Sequence, residues 1–254
     1  MAAVTLKYDQ WLSINYADIN NRIVKSQELF RERWNITTSP IELCQIIGSC
    51  YKLTNIGYQQ FTKERRLIAC NFARQYWDQV SDAGSESIIC GEKMVDPTAS
   101  IDKATIKEVN KKARNVRRSY SAGHTNSQET NGRQYAIEGL ACICSNSSEI
   151  NLLAKALDWS EKLPNNTQCA IIRDMVANPF AKTTLQVNYI TPQIKGLAIG
   201  ASQANEYGQL DNHRVAIIAD ALEDNGCTEE ALLNHLRTGN HWHGCYAIDL
   251  LLSK

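Results

Sequence analysis

The chain has 254 residues, with 27 basic and 27 acidic side chains, and 43% of its residues are hydrophobic. That hydrophobic fraction excludes an intrinsically disordered chain, and the balanced charge gives no global field that would attract nucleic acid or an anionic membrane. Nine cysteines in no regular framework, with no N-terminal apolar signal segment, predict a cytoplasmic protein without disulfides. Because no run of about 18 apolar residues occurs, no transmembrane helix is predicted.

Helical periodicity recurs along most of the chain, whereas sustained strand alternation is scarce. This pattern predicts an all-α fold, an irregular bundle of about nine to eleven helices, with one short extended segment near 181–190. An N-terminal helical extension over 1–34 precedes a single helical domain over 35–254. Within that domain we expect a variable basic and polar middle at about 97–133 and a compact C-terminal part at 165–254.

Several helix boundaries are marked by local signals. Ser39 followed by Pro40, with glutamate three residues after the serine, is typical of a capped helix start. A second helix is predicted over 59–80, and Thr191 followed by Pro192 begins a later one in the same cap-then-proline manner.

The middle of the chain carries a local excess of positive charge. Residues 101–120 hold seven basic and two acidic side chains, whereas 211–254 hold three basic and seven acidic ones. We therefore expect a solvated helix whose charge the C-terminal stretch balances. Binding to nucleic acid or an acidic partner is the less favoured alternative, because few aromatic residues interleave with the basic ones. Its candidate residues are Lys107, Lys111, Arg114 and Arg118.

The C-terminal stretch over 211–254 has the densest helix signals and four of the five histidines. An apolar stripe predicts a helix that ends at Asn225-Gly226, Thr228 caps a second helix, and an apolar run from Cys245 to Leu252 predicts a buried terminal helix. We expect removal of the last eight residues to unfold the domain. The stripe consists of Val215, Ile218, Ala219 and Leu222.

Histidines and cysteines in this stretch are spaced by 8, 6, 2 and 2 residues, unlike the tight pairs of closed zinc sites. The spacing therefore predicts no metal and no cofactor. Asp249 lies in an apolar run, where a carboxylate either faces solvent or pairs with a buried cation, for which Arg214 is the candidate partner. A pocket for a small ligand is an alternative, built from polar residues near helix ends. Its candidates are Arg173, Asp174, Asn178, His235, His241, Cys245 and Asp249.

Several phrases resemble a family of uncharacterised bacterial proteins found in planctomycetes. They are R-R-L-I-A-C-N-F-A-R-Q-Y-W at 65–77, R-D-M-V-A-N-P-F at 173–180, A-D-A-L-E-D-N-G-C at 219–227 and H-W-H-G-C-Y-A-I-D-L-L-L at 241–252. The resemblance covers about 32–254 and implies a shared fold, without implying a reaction. His243 stands where the family has arginine, and Tyr246 where it has tryptophan.

No phosphate-binding, dinucleotide-binding, zinc-protease or nucleophile-elbow motif occurs in the sequence. We therefore favour a non-enzymatic helical protein that acts by self-association, as a homo-oligomer, or by binding a protein partner. One alternative is a small-ligand or metal-binding protein or enzyme that uses a pocket at the C-terminal histidine and cysteine corner. A second is nucleic-acid binding through the basic helix at 103–118.

Overall fold

The computed structural model describes residues 29–53, 62–121, 128–146, 152–160, 163–180 and 185–253. The chain divides into two compact units, residues 1–37 and 38–254. In the first unit, residues 29–36 are helical. The extension predicted over 1–34 lies mostly outside the described residues, so its structure stays a prediction.

The second unit is built of α-helices, and the all-α prediction is confirmed. Its described part contains no sheet, only one isolated antiparallel bridge between Gln209 and Trp242. None of the described helices is long and apolar enough to cross a membrane. The helices are α1 (Pro40–Leu53), α2 (Thr62–Arg74), α3 (Asp82–Lys93), α4 (Lys103–Ser121), α5 (Gln128–Cys144), α6 (Leu152–Trp159), α7 (Asn165–Met175), α8 (Pro192–Ala201), α9 (Asn212–Asp224), α10 (Glu230–Arg237) and α11 (Tyr246–Leu252).

The cap signals predict three of these helix ends correctly. The Ser39 hydroxyl accepts the backbone N–H of Glu42 before α1, and the Thr191 hydroxyl accepts that of Ile194 at the start of α8. At the end of α9, Gly226 has φ +85° and the following N–H returns to the Leu222 carbonyl. This is the left-handed turn expected of a helix-ending glycine.

Two predicted boundaries and one predicted segment are corrected. The residue before α10 is Glu229 rather than Thr228, and no side chain caps that helix. Helix α2 ends at Arg74, because the next amides bond three residues back and lead into a 3-10 turn at Trp77–Gln79. Of the extended segment near 181–190, residues 181–184 lie outside the described part. Val187–Tyr189 form a 3-10 turn, since β-branched residues need a partner strand to stay extended.

Helix α2 is the centre of the larger group of helices. It packs against α3, α5, α6 and α7, and every residue from Arg65 to Ala73 is buried. The Arg66 guanidinium donates to the carbonyls of Cys144 and Asn146, which lie at the end of α5 and would otherwise lack helical partners. Eight of the nine cysteines, those whose side chains the structure describes, are free thiols.

Helices α8 to α11 form a second group with its own apolar core. The predicted stripe of α9 is fully buried there, together with leucines of α10 and the inner face of α11. Helix α7 packs against α1 and α2 of the larger group and also contacts α11 of the smaller one. The end of α7 is therefore a junction between the two groups.

The predicted basic residues of α4, namely Lys107, Lys111, Arg114 and Arg118, are all exposed. Arg114 donates to Asn110 of the same helix, and Lys112 lies 3.6 Å from Glu86 of α3. Part of the negative charge of residues 211–254 is neutralised inside that stretch, because Arg237 pairs with two carboxylates of α9. Binding of nucleic acid by α4 stays a prediction.

Candidate functional site

Four of the seven predicted pocket residues converge at the junction between the two groups of helices. Asp174 lies in the last turn of α7, His235 in the last turn of α10, His241 in the following loop and Cys245 directly before α11. One ligand atom from each residue lies within 4.8 Å of the others. We call these four residues the junction cluster.

Asp174 is the acceptor at the centre of the cluster. Its Oδ1 lies 2.8 Å from Nδ1 of His241 and 3.2 Å from Nε2 of His235, and its Oδ2 accepts the Trp242 backbone N–H at 2.7 Å. Burial alone would raise the pKa of Asp174, but the hydrogen bonds from His235 and His241 outweigh it and lower that pKa. An ionised carboxylate only accepts, so each facing ring nitrogen carries a hydrogen.

Cys245 completes the cluster from the opposite side. Its Sγ lies 3.4 Å from Nε2 of His235 and 3.6 Å from Nδ1 of His241. The residue is fully buried, and burial together with the nearby Asp174 carboxylate raises the pKa of the thiol well above its usual value. Burial of this kind disfavours a nucleophilic role for the Cys245 thiol.

The loop that carries His241 is held by backbone hydrogen bonds to the segment before α9. The Leu210 N–H donates to the His241 carbonyl at 2.8 Å, and the His243 N–H donates to the Gly208 carbonyl at 2.7 Å. The Asn212 side chain accepts the His241 N–H at 3.1 Å. These bonds fix the backbone of His241 and are independent of the contacts that its ring makes.

Helix α2 holds the other end of the same loop. The Asn71 amide donates to the His243 carbonyl at 2.9 Å and to the Leu67 carbonyl of its own helix at 2.9 Å. Gly244 has φ +87°, and a Cβ built on it would lie 2.6 Å from a Leu67 methyl carbon. The turn into Cys245 therefore requires glycine, both for its backbone conformation and for its close approach to α2.

The other three predicted pocket residues do not join the cluster. Arg173 precedes Asp174, but neighbouring helix residues point about 100° apart. Its half-buried side chain lies near Cys169, and burial lowers the pKa of the guanidinium. The Asn178 side chain accepts the Phe180 N–H and so shapes its own turn.

Asp249 pairs with Lys63 of α2 at 2.9 Å, so the expected pair with Arg214 is wrong. Arg214 instead lies 3.3 Å from Asp211, one turn earlier in the chain. The reason is tertiary: Asp249 lies on the side of α11 that faces α2, beside a groove that Lys63, His243 and Asp249 line.

Two of the cluster distances match those of a tetrahedral zinc site. Zinc binds imidazole nitrogen at about 2.0–2.1 Å and thiolate sulfur at about 2.3 Å, so neighbouring nitrogen and sulfur ligands lie roughly 3.5 Å apart. The two nitrogen–sulfur distances here are 3.4 and 3.6 Å. The shorter contacts between Asp174 and the histidines are hydrogen bonds, which a metal ion would replace.

No protein-family model, curated protein or solved structure matches the chain.

Proposed function

We propose that the protein binds one zinc ion at the junction cluster. The observation that carries this proposal is the convergence of four ligand atoms within 4.8 Å, from Asp174, His235, His241 and Cys245. They come from α7, α10, the loop after it and the start of α11, so the ion would join the two groups of helices.

The chemistry of the donors favours zinc over the other common divalent ions. Zinc binding would displace the proton of the Cys245 thiol, because the thiolate is the form that binds a metal. One thiolate, two imidazoles and one carboxylate form a mixed soft and intermediate set, whereas magnesium and calcium select oxygen ligands. Four protein ligands complete a tetrahedral shell. Sites closed in this way are typically structural, whereas catalytic zinc sites keep one position for water or substrate. The proposed role is therefore structural.

A second contact of Asp174 supports the same role. Oδ2 of Asp174 accepts the Trp242 N–H, which orients the carboxylate while its Oδ1 faces the cluster. Outer contacts of this kind orient the ligands of known metal sites and contribute to their affinity. A zinc ion bound only by the folded chain would stabilise it by mass action, by about 2.7 kcal/mol at a free concentration one hundred times the Kd.

This proposal revises the expectation of no metal that the irregular spacing suggested. Tight pairs identify sites whose ligands lie on one loop or helix, but this cluster takes Asp174 from a distant helix. The proposed non-enzymatic character is unchanged. Self-association or partner binding stays a prediction. It rests on the N-terminal extension over 1–34, most of which lies outside the described residues, and on the opposite charges of 101–120 and 211–254.

Calorimetric titration of the metal-free protein with zinc tests the proposal. We expect one ion per chain for the wild type, and Cys245→Ser and His235→Ala to weaken binding by about 100-fold or more. The controls change one residue of each type outside the cluster: His213→Ala, at an exposed position of α9, and Cys227→Ser, in the apolar core of the smaller group. Both should bind zinc as the wild type does. Absence of binding by the wild type, or equal losses in the controls, would overturn the proposal.

A further inference from the structure

We propose that His235 and Tyr246 form the gate of the metal site, and that zinc enters and leaves past them. This inference rests on the proposed zinc binding. It concerns the rate of exchange, whereas the proposed function concerns the bound state.

The four cluster residues differ in their access to solvent. Asp174, His241 and Cys245 are at most 2% exposed, whereas the His235 side chain is 19% exposed. The exposed segment 237–240 begins two residues after His235, beyond the buried Leu236. An ion that approaches the cluster from solvent therefore meets His235 first.

The Tyr246 ring covers this approach. It lies 4.4 Å from the His235 ring, centroid to centroid, with the two planes inclined by 36°. The His241 ring lies against a different part of His235, at 4.9 Å and nearly perpendicular to it. His235 thus contacts both a buried ligand and a half-buried aromatic side chain. Outward rotation of its imidazole breaks the contact with the Tyr246 ring.

The alternative routes are closed by tighter contacts. His241 lies in a loop that backbone hydrogen bonds at Leu210 and an Asn212 side chain hold in place. Asp174 is tied through the Trp242 N–H, and Cys245 is fully buried at the start of a helix. The last turn of α10 is held by the ion pairs of Arg237 with Asp220 and Glu223. The ion would therefore enter by rotation of the partly exposed His235 side chain rather than by movement of the helix.

A gate has a kinetic signature that distinguishes it from a ligand or a structural support. Removal of the covering ring lowers the barrier for entry and for exit alike, so both rate constants rise while the Kd changes little. Loss of support for His235 would instead raise the release rate alone and weaken the equilibrium affinity in proportion.

The test measures zinc uptake and chelator-driven zinc release by stopped flow, together with the Kd. We expect Tyr246→Leu to raise both rate constants roughly tenfold, equivalent to a barrier lower by about 1.4 kcal/mol, with a Kd within about threefold of the wild type. Tyr246→Phe is the matched control, because it keeps the ring and should keep the wild-type rates. Tyr246→Met serves as a second variant if the leucine substitution prevents folding, since it also retains apolar contact with the core.

The outcomes separate the two proposals. A wild-type chain that binds no zinc overturns the proposed function and the gate together. Zinc binding with unchanged rates in the leucine and methionine variants overturns the gate alone. A faster release matched by an equally weaker Kd also overturns it, because Tyr246 would then be a support for His235.

Discussion

Nδ1 of His241 lies 2.8 Å from Oδ1 of Asp174, although 67 residues separate the two in the chain. The contact joins α7, which packs within the larger group of helices, to the loop that leads into α11 of the smaller group. A substitution at either residue should therefore affect both the attachment of the C-terminal helices and the affinity for metal.

Asp174→Asn removes the negative charge of the side chain but keeps its shape. The amide oxygen can still accept the Trp242 N–H, but the two histidines lose a charged acceptor. We expect the metal-free protein to lose about 1–3 kcal/mol of unfolding free energy, and zinc binding to weaken about 100-fold. Urea unfolding and zinc titration measure the two effects. Asp158→Asn, at an exposed position of α6, should change neither.

Gly244→Ala should destabilise the protein through both strain and a clash. The position has φ +87°, and its new methyl group would lie 2.6 Å from Leu67. We expect a loss of about 2–4 kcal/mol in urea unfolding. Gly239→Ala is the matched control, because that glycine has φ +91° but open space around its Cβ position. It should cost only the backbone strain, about 1–2 kcal/mol. Equal losses at the two positions would contradict the close approach of the loop to α2.

Asn71→Ala removes the amide that joins α2 to the His243 carbonyl. Leaving that carbonyl without its donor should cost about 1–3 kcal/mol. Because the same loop carries His241, zinc binding should weaken about tenfold. The control is Gln75→Ala, which breaks a hydrogen bond from the residue after α2 to the Tyr207 carbonyl, outside the loop that carries His241. That variant should lose stability without any change in zinc affinity.

Deletion of Ala247–Lys254 should unfold the domain. The segment contributes Ala247, Ile248 and Leu251 to the core of the smaller group. Burying one large aliphatic side chain is worth about 1.5–3 kcal/mol, so loss of Ile248 and Leu251 removes about 3–6 kcal/mol. That amount reaches the lower part of the range of stability of a typical domain, about 5–15 kcal/mol. Deletion of only Ser253 and Lys254, where Ser253 is exposed, should leave the melt cooperative. Retained helicity and a cooperative melt in the longer deletion would refute the expectation.

The sequence predicts most local structure of the fold because the signals are local. The stripe of α9, the glycine at its end and the Ser39 and Thr191 caps each depend on residues within one or two turns of each other. The prediction that Thr228 caps α10 is wrong. Serine and threonine are only preferred before a helix, and Glu229 occupies that position here. Which side of α11 faces α2 depends on packing between distant segments, so the Lys63 partner of Asp249 could not be read from the sequence.

The candidate site was only partly predictable for the same reason. The sequence predicts all four cluster residues as pocket candidates, because they are polar and lie near helix ends. Their spacing, however, gave no sign that α7 would bring Asp174 to the three C-terminal residues. Conversely, Arg173 and Asn178 are close to Asp174 in the chain, but helix geometry and a local turn direct their side chains elsewhere.

The most direct test of the zinc site is the absorption spectrum of the cobalt-substituted protein. We expect one cobalt ion per chain, visible d–d bands of tetrahedral intensity and a near-ultraviolet charge-transfer band from the Cys245 thiolate. Cys245→Ser should abolish the charge-transfer band, and His213→Ala should leave the spectrum unchanged. A weak octahedral spectrum without that band, or a band that survives Cys245→Ser, would contradict the proposed site.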